Sequence, residues 1–126
     1  MMIKIALVGL GGGLGAICRY LIYEASLIMV ENAWFPLGTL IVNISGCFAI
    51  GLLGGIAETR ELFSPEIRAL VFIGFLGGFT TFSTFGYEIF FFIRNGQTGM
   101  AILNLALQVT LGLLGVWAGF YLSRFV

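Results

Sequence analysis

The sequence predicts an all-α integral membrane protein with four transmembrane helices in a single domain, residues 1–126. The first observation is composition. Of the 126 residues, 60% are hydrophobic and 10% are charged, which is too apolar for a soluble domain of this length. The second is segmentation, because charged and turn-forming residues divide the chain into four apolar stretches. A membrane-spanning helix needs about 20 residues, and each stretch supplies that many.

Turn and capping residues mark the ends of these spans. Pro36 suits the first turn of the second helix, and Ser64 followed by Pro65 suits the start of the third. Gly96 ends the third span after Asn95, and Thr98 is predicted to cap the fourth helix. The predicted spans cover about residues 3–29, 36–57, 65–93 and 98–125.

Composition also excludes several classes of function. Six basic and six acidic residues balance to zero net charge, there is no histidine, and no basic patch exists to bind nucleic acid. Cys18 and Cys47 both lie in apolar stretches and are interpreted as packed side chains, neither a disulfide nor a metal pair. The N-terminal apolar run lacks a clear cleavage site and is interpreted as the first span.

Small residues recur at intervals of four along three of the predicted helices. This spacing lets helix backbones approach closely in a membrane. Packing inside one bundle and packing between subunits both explain it, and the sequence leaves the two open. The pairs are Gly9 with Gly13, Gly11 with Gly15, Gly51 with Gly55, and Gly115 with Gly119.

The first span also contains a spacing found in dinucleotide-binding turns. Gly11, Gly13 and Ala16 satisfy the pattern G-x-G-x-x-A after an apolar run. That motif requires a soluble strand–helix–strand unit, whereas this chain continues into another bilayer-length span. Glycine-mediated helix packing is therefore the favoured interpretation.

The third span is predicted to be broken near Gly77–Thr80. A Gly77–Gly78 pair makes unwinding easy, and hydroxyl residues follow closely. In a bilayer, unwound backbone is tolerated only where protein covers it or where it lines a polar path, so a break suggests an ion or substrate site. Phe82 and Phe85 lie three residues apart on one helix face, and ring edges carry partial positive charge. The hydroxyls are those of Thr80, Thr81, Ser83 and Thr84.

Isolated polar residues in the other spans are further candidates. Arg19 is the one full charge deep in the first apolar segment, and is expected either to act on an anion or to pair with Glu24 or a carbonyl. In the second span, Thr39 and Asn43 share a face. The amide of Asn43 is expected either to hydrogen-bond another helix or, as we favour, to offer its two donors to an anion.

Two further sets of polar residues lie in the third and fourth spans. Glu88, beyond the rings, is expected to be an interfacial carboxylate that is solvated or paired with Arg94. Asn104 and Gln108 share a face of the fourth span, where they either line a path or join helices.

The run Gly-Gly-Phe-Thr-Thr-Phe-Ser-Thr-Phe at residues 77–85 resembles the signature of the Fluc (CrcB) fluoride channels. The runs Gly-Thr-Leu-Ile-Val-Asn at 38–43 and Gly-Gly-x-Leu-Gly-Ala-x-x-Arg, which ends at Arg19, are similar to other family motifs. The resemblance covers the whole chain. It implies passive, fluoride-selective export by a non-enzymatic, multi-pass protein of the bacterial inner membrane.

The resemblance also implies an assembly and a set of site residues. The family forms antiparallel homodimers inserted with dual topology, with two anion pathways at the subunit interface and a central structural sodium ion. The ring edges of Phe82 and Phe85 would contact fluoride, and the carbonyls of Gly77 and Thr80 would hold the sodium. Arg19 matches a retained family arginine, and Glu88 is assigned an electrostatic or structural role. The remaining expected pathway residues are Asn43, Ser83, Thr84 and Thr39.

One departure from the family and two competing interpretations accompany this assignment. Family members often carry serines in the fourth span, where this chain offers Asn104, Gln108 or Thr110 instead. A proton-coupled cation exporter would need a lone carboxylate in the first span, but Glu24 lies near the end of that span. A membrane protein that only assembles a larger complex would show no ion flux of its own.

Overall fold

The protein is described by a computed structural model that covers residues 1–29, 35–60 and 63–126. Every regular element in this part of the chain is helical. The first two helices are α1, Met2–Met29, and α2, Leu37–Arg60. The third span begins with α3, Pro65–Arg68, continues as wider π-helical turns over Ala69–Leu76, and ends its first half with α4, Gly77–Phe79. Then follow α5, Phe82–Arg94, α6, Thr98–Leu122, and a 3₁₀ turn, Ser123–Phe125.

Four helical stretches are long and apolar enough to cross a membrane, which confirms the predicted spans. They contain 28, 24, 30 and 28 residues. At 1.5 Å per residue, even the shortest is about 36 Å long, which exceeds the roughly 30 Å hydrocarbon core. Their bounds are Met2–Met29, Leu37–Arg60, Pro65–Arg94 and Thr98–Phe125.

α1 packs along the first half of the third span through glycines. A Cβ atom at Gly11 would lie 2.8 Å from the backbone nitrogen of Phe75, and one at Gly15 would lie 2.8 Å from that of Phe79. Such contacts require backbones to approach without side chains between them. By contrast, no atom of the described residues lies within 4 Å of an added Cβ at Gly9 or Gly13, so this pair forms no close contact within that part of the chain.

α2 and α6 form the second close helix pair and have the most extensive contact of any two elements. An added Cβ at Gly51 would lie 2.9 Å from the Val116 Cα atom, and one at Gly119 would lie 2.7 Å from the nitrogen of Leu52. The four-residue glycine spacing on these two helices therefore serves packing inside one bundle.

The two halves of the third span are joined by two residues with extended backbones. Thr80 has φ −80° and ψ 160°, and Thr81 has φ −150° and ψ 114°. Gly77 and Gly78 were expected to unwind, but both are helical. Gly78 instead faces α1, where an added Cβ would lie 2.9 Å from the Gly12 Cα atom. Gly78 thus serves helix contact, whereas Gly77 has no atom within 4 Å of an added Cβ. The threonines carry the change of backbone direction.

The helix ends agree with most of the predicted caps. Ser64 Oγ accepts a hydrogen bond from the Ile67 nitrogen at 3.3 Å and caps α3. Gly96 ends the third span with a positive φ of 73°, a conformation that glycine adopts without steric penalty. The prediction that Thr98 caps α6 is wrong, because Thr98 is already helical and Gln97 occupies the cap without a side-chain hydrogen bond.

The conformation of α1 tests the dinucleotide-binding interpretation of its glycines. The helix runs without interruption through Gly11, Gly13 and Ala16. No strand precedes these glycines, so they do not form the tight turn that brings a pyrophosphate onto a helix N-terminus. The structure supports the helix-packing interpretation.

Candidate functional site

A cluster of hydroxyl groups begins at the extended residues of the third span. The Thr81 hydroxyl accepts a hydrogen bond from the Thr84 nitrogen at 3.2 Å and so caps α5. It also donates to Thr84 Oγ1 at 3.0 Å and lies 3.4 Å from Ser83 Oγ. Because a hydroxyl is both a donor and an acceptor, the three groups form one connected polar track at the start of α5.

The side chain of Asn43 joins α2 to the same extended residues. Its Oδ1 accepts a hydrogen bond from the Thr81 nitrogen at 2.8 Å, and its Nδ2 donates to the Thr81 carbonyl at 3.0 Å. Nδ2 also donates to Gln108 Oε1 at 3.1 Å. A primary amide has two N–H groups, and both are used here. The expectation that Asn43 holds two free donors for an anion does not hold within the single chain.

A second polar chain lies further along α5 and ends in a carboxylate. The hydroxyl of Thr39 donates to Glu88 Oε1, and Asn104 Nδ2 donates to Glu88 Oε2 at 3.2 Å. Tyr23 Oη lies 3.2 Å from the Thr39 hydroxyl. Glu88 was expected to be solvated or paired with Arg94, but neutral donors from two other helices hold it.

Two buried atoms at the centre of these chains have no hydrogen-bond partner among the described residues: Asn104 Oδ1 and Gln108 Nε2. Asn104 is fully buried, and Gln108 is 8% exposed. They are one turn apart on α6 and therefore share a face. An acceptor and a donor are thus left open side by side, where unmet hydrogen bonds cost free energy.

Arg19 points from α1 to the third span. Its Nη1 atom donates to the carbonyl of Thr80 at 3.2 Å. Of the alternatives considered from the sequence, pairing with a carbonyl is the one observed. In a continuous helix, this carbonyl would accept from the Thr84 nitrogen, which instead donates to Thr81 Oγ1. The guanidinium therefore donates to a carbonyl that lacks its helical donor because the backbone is extended there.

The two phenylalanines of the motif lie edge to face beside a cavity. Their ring centroids are 5.7 Å apart with an interplanar angle of 65°. Phe85 is 9% exposed, whereas Phe82 is 82% exposed, so one ring is packed into the bundle and the other stands on its surface. The adjoining cavity has a volume of about 440 Å³. Its lining includes both rings, Asn43, Thr80, Thr81 and Gln108.

A second cavity of about 680 Å³ lies at the other end of α5. It contains Glu88, and Thr84 lies on its wall. Thr84 also belongs to the hydroxyl track, so the track leads from the first cavity toward the second. The polar members of this lining are Tyr23, Ser26, Thr39, Thr84, Tyr87, Glu88 and Gln97.

The structure thus groups the predicted site residues into two neighbouring sets. Asn43, Phe82 and Phe85 line the first cavity, whereas Thr39, Thr84 and Glu88 line the second. Ser83 is exposed and lines neither. Gly77 and Thr80 border the first cavity, and Arg19 contacts this border through Thr80.

Two central residues received no specific role from the sequence. Thr81 caps α5 and binds Asn43 through its backbone, and Gln108 receives the second N–H of Asn43. Thr81 itself carried a signal, because threonine is a preferred residue at the start of a helix. No sequence signal separates a lining glutamine from one that joins helices.

Comparison with known proteins identifies a family that matches nearly the whole chain. The family model described as "CrcB-like protein, Camphor Resistance (CrcB)" matches residues 6–120. The chain is 44% identical to the "Fluoride-specific ion channel FluC" of Solibacter usitatus over 96% of its own length and 98% of that protein. It is 43% identical to the protein of the same name from Geobacter sulfurreducens, over 98% of both chains. The identity is 40% with that of Methylobacillus flagellatus, over 98% of this chain and 96% of the relative.

These relatives are ion channels and not enzymes. Together with the four spans, the relationship identifies a multi-pass protein of the bacterial inner membrane. Because the family match and the similarity to these relatives extend over nearly the whole chain, the chain belongs to the CrcB family.

Proposed function

We propose that this protein is a fluoride-selective channel that lets fluoride leave the cytoplasm passively. The observation that carries the proposal is the full-length relationship to proteins named as fluoride-specific channels, at 40–44% identity. The local geometry is consistent with it. The cavity beside Phe82 and Phe85 is bordered by amide and hydroxyl groups, and none of the described residues in its lining is charged.

Such a lining suits a small, strongly hydrated anion. Fluoride gives up its water only where other donors replace it, and conduction requires that these donors hold it loosely enough to release it. Hydroxyls of Ser83 and Thr84 and the positive edges of Phe82 and Phe85 are donors of this kind. In this proposal the ion passes along the rings and the hydroxyl track toward Thr39.

Asn43 lies at this path, but its amide hydrogens are engaged with Thr81 and Gln108. The unpartnered Nε2 of Gln108 is therefore the amide donor that this cluster has free. Glu88 lies at the far end of the track, where the donors from Thr39 and Asn104 hold its carboxylate in place. Its proposed role is structural, because a carboxylate held in this way orders the hydroxyl and amide around it.

The working unit in this proposal is an antiparallel homodimer with two pathways at its interface. Phe82 is 82% exposed although the path is proposed to run beside it, so a second copy would complete the wall. Equal insertion in both directions suits the weak charge bias of the loops. By the order of the spans, Arg94 lies at one end of the bundle. Four basic residues lie at the other end: Lys4, Arg60, Arg68 and Arg124.

A structural sodium ion fits the donor set at the interruption of the third span. The Thr81 nitrogen donates to Asn43 and not to the Gly77 carbonyl, its partner in a continuous helix. The Thr80 carbonyl accepts from Arg19 and keeps a second lone pair. Carbonyls freed from helical bonding are sodium ligands in membrane proteins. Gly77 and Thr80 of two copies would together hold the ion, whose charge would raise the potential felt by a passing anion.

The experiment is fluoride efflux from liposomes that contain the purified protein, followed with a fluoride electrode. Chloride-loaded liposomes are the control. We expect rapid loss of fluoride with chloride retained. If folded, dimeric protein released neither ion, the channel proposal would be refuted and the assembly interpretation would replace it. If fluoride left only when protons moved with it, a coupled exporter would be indicated.

A further inference from the structure

Two consecutive residues with extended backbones lie inside a membrane-spanning segment, which is an unusual place for them. The Thr80 nitrogen keeps its helical bond to the Leu76 carbonyl at 3.0 Å, but the Thr80 carbonyl and the Thr81 nitrogen leave the helical pattern. No water in the hydrocarbon core replaces the lost bonds. Thr81 is 6% exposed, so its peptide groups need partners inside the protein. An unpaired buried backbone group is rare, because it costs as much as a lost hydrogen bond.

One side chain forms hydrogen bonds with both Thr81 backbone groups. Asn43 Oδ1 accepts from the Thr81 nitrogen at 2.8 Å, and Asn43 Nδ2 donates to the Thr81 carbonyl at 3.0 Å. A carboxamide has the same donor and acceptor arrangement as a peptide group, so it can pair with a backbone as a neighbouring strand does. Because Asn43 lies on α2, the hydrogen bond connects two helices through residues that are 38 positions apart in sequence.

This pairing also fixes the orientation of the next amide. Because the Thr81 N–H requires Asn43 Oδ1, the amide cannot turn over without placing two donors against each other. Its second N–H then meets Gln108 Oε1 at 3.1 Å. The glutamine amide is thereby oriented with Nε2 as the atom left without a partner among the described residues.

We propose that Asn43 is a positioning residue: its amide substitutes for a strand partner, holds Thr81 in the extended conformation and sets the orientation of Gln108. The inference concerns the channel proposed above but does not depend on which ion passes. It assigns to Asn43 an action through Thr81 and Gln108, where the sequence suggested direct contact with the anion.

Hydrogen exchange at the Thr81 amide tests this assignment. The experiment uses the full-length dimer in detergent or nanodiscs, labelled with ¹⁵N-threonine and kept free of fluoride. In N43L the Thr81 N–H loses its acceptor, and its exchange rate is expected to rise about tenfold, as for one lost buried hydrogen bond. N43D keeps an acceptor oxygen for the Thr81 N–H, and its carboxyl, protonated in this apolar setting, keeps one O–H donor for the Thr81 carbonyl. It is expected to exchange within about threefold of the parent protein.

Ser45→Ala is the matched control on the same helix. The Ser45 hydroxyl donates to the Ile41 carbonyl at 2.6 Å, within α2, so its loss should leave Thr81 exchange unchanged. If N43L does not fold, N43S replaces it, because the shorter serine cannot pair with both Thr81 groups and should also accelerate exchange.

Unchanged Thr81 exchange in the folded N43L or N43S variant would overturn the positioning role. Exchange that rises as much in N43D and S45A as in N43L would overturn it too. The proposed function fails on a different result. If the parent protein protects Thr81 but liposomes retain fluoride, the channel proposal is wrong and the role of Asn43 stands.

Discussion

Phe82 and Phe85 illustrate how one residue type serves two environments three positions apart. Both begin α5 on one helix face, yet Phe85 is buried and Phe82 stands on the surface of the chain. Their edge-to-face contact points one ring edge at the face of the other. The packed ring therefore limits the position of the exposed one, which would otherwise rotate freely beside the cavity.

Replacing both rings should remove fluoride flux without unfolding the protein. In F82L/F85L the aliphatic side chains keep bulk but lose the positive ring edges, so efflux is expected to fall to the leak of protein-free liposomes. Phe90→Leu is the control, because Phe90 is an exposed ring on the same helix that lines neither cavity. Wild-type flux in a dimeric double variant would exclude the ring-edge role.

At the scale of elements, glycine decides which helices touch. α1 meets the first half of the third span at Gly11 and Gly15, and α2 meets α6 at Gly51 and Gly119. Close backbone contact is the main source of attraction between helices in lipid, since lipid tails are as apolar as leucine. α5, which carries the polar track, packs against α6 of the second pair.

A single methyl group at this contact should loosen the bundle. In Gly15→Ala the new Cβ would lie 2.8 Å from the Phe79 nitrogen, a backbone atom that cannot rotate away. We expect the free energy of unfolding to fall by about 3 kcal/mol, the upper end for overpacking, measured as a lower melting temperature in detergent.

Gly13→Ala is the matched control on the same helix, because nothing lies within 4 Å of its added Cβ. Alanine also favours the helix by up to about 1 kcal/mol, so this variant should melt at or above the parent temperature. Equal losses in the two variants would contradict the packing role of Gly15.

At the scale of the whole molecule, the proposed pathways require a second, inverted copy. The loops carry too few charges to fix one insertion direction firmly. The proposed antiparallel dimer needs both orientations in equal numbers, and a weak charge bias is compatible with that need.

Labelling of one engineered cysteine should reveal both orientations. With Cys18 and Cys47 replaced by alanine, Q97C places a thiol at the exposed junction between α5 and α6. A membrane-impermeant maleimide added to sealed cells is expected to label about half of the molecules, as equal insertion requires, and detergent-opened membranes should then label completely. Labelling of nearly all or nearly none in sealed cells would contradict dual topology.

Sodium should stabilise the assembled dimer. A ligand that binds only the folded form raises stability by about 2.7 kcal/mol at 100 times its dissociation constant. Replacing sodium by N-methylglucamine is therefore expected to lower the melting temperature by several degrees. Gly77→Ala is the matched control, because it keeps the backbone carbonyl and has open space for the methyl group. Its melting temperature should therefore respond to sodium as that of the parent protein does. Identical melting with either cation would argue against the ion.

The sequence by itself determined the four spans, because bilayer thickness sets helix length and leaves a direct mark on composition. It also identified the polar residues of the third span, since hydroxyls and paired glycines are unusual in a lipid-facing helix. Family resemblance pointed to the same residues, and the full-length comparisons confirmed the family.

Only the tertiary structure decided what those residues contact. Gly78 packs on Gly12, and the extended residues are Thr80 and Thr81. Asn43 pairs with a peptide 38 positions away. The donors to Glu88 come from α2 and α6. The physical reason is the same in each case. Local sequence sets which groups need partners. Where the same helix offers none, the partner in lipid comes from another helix, and helix packing decides which group that is.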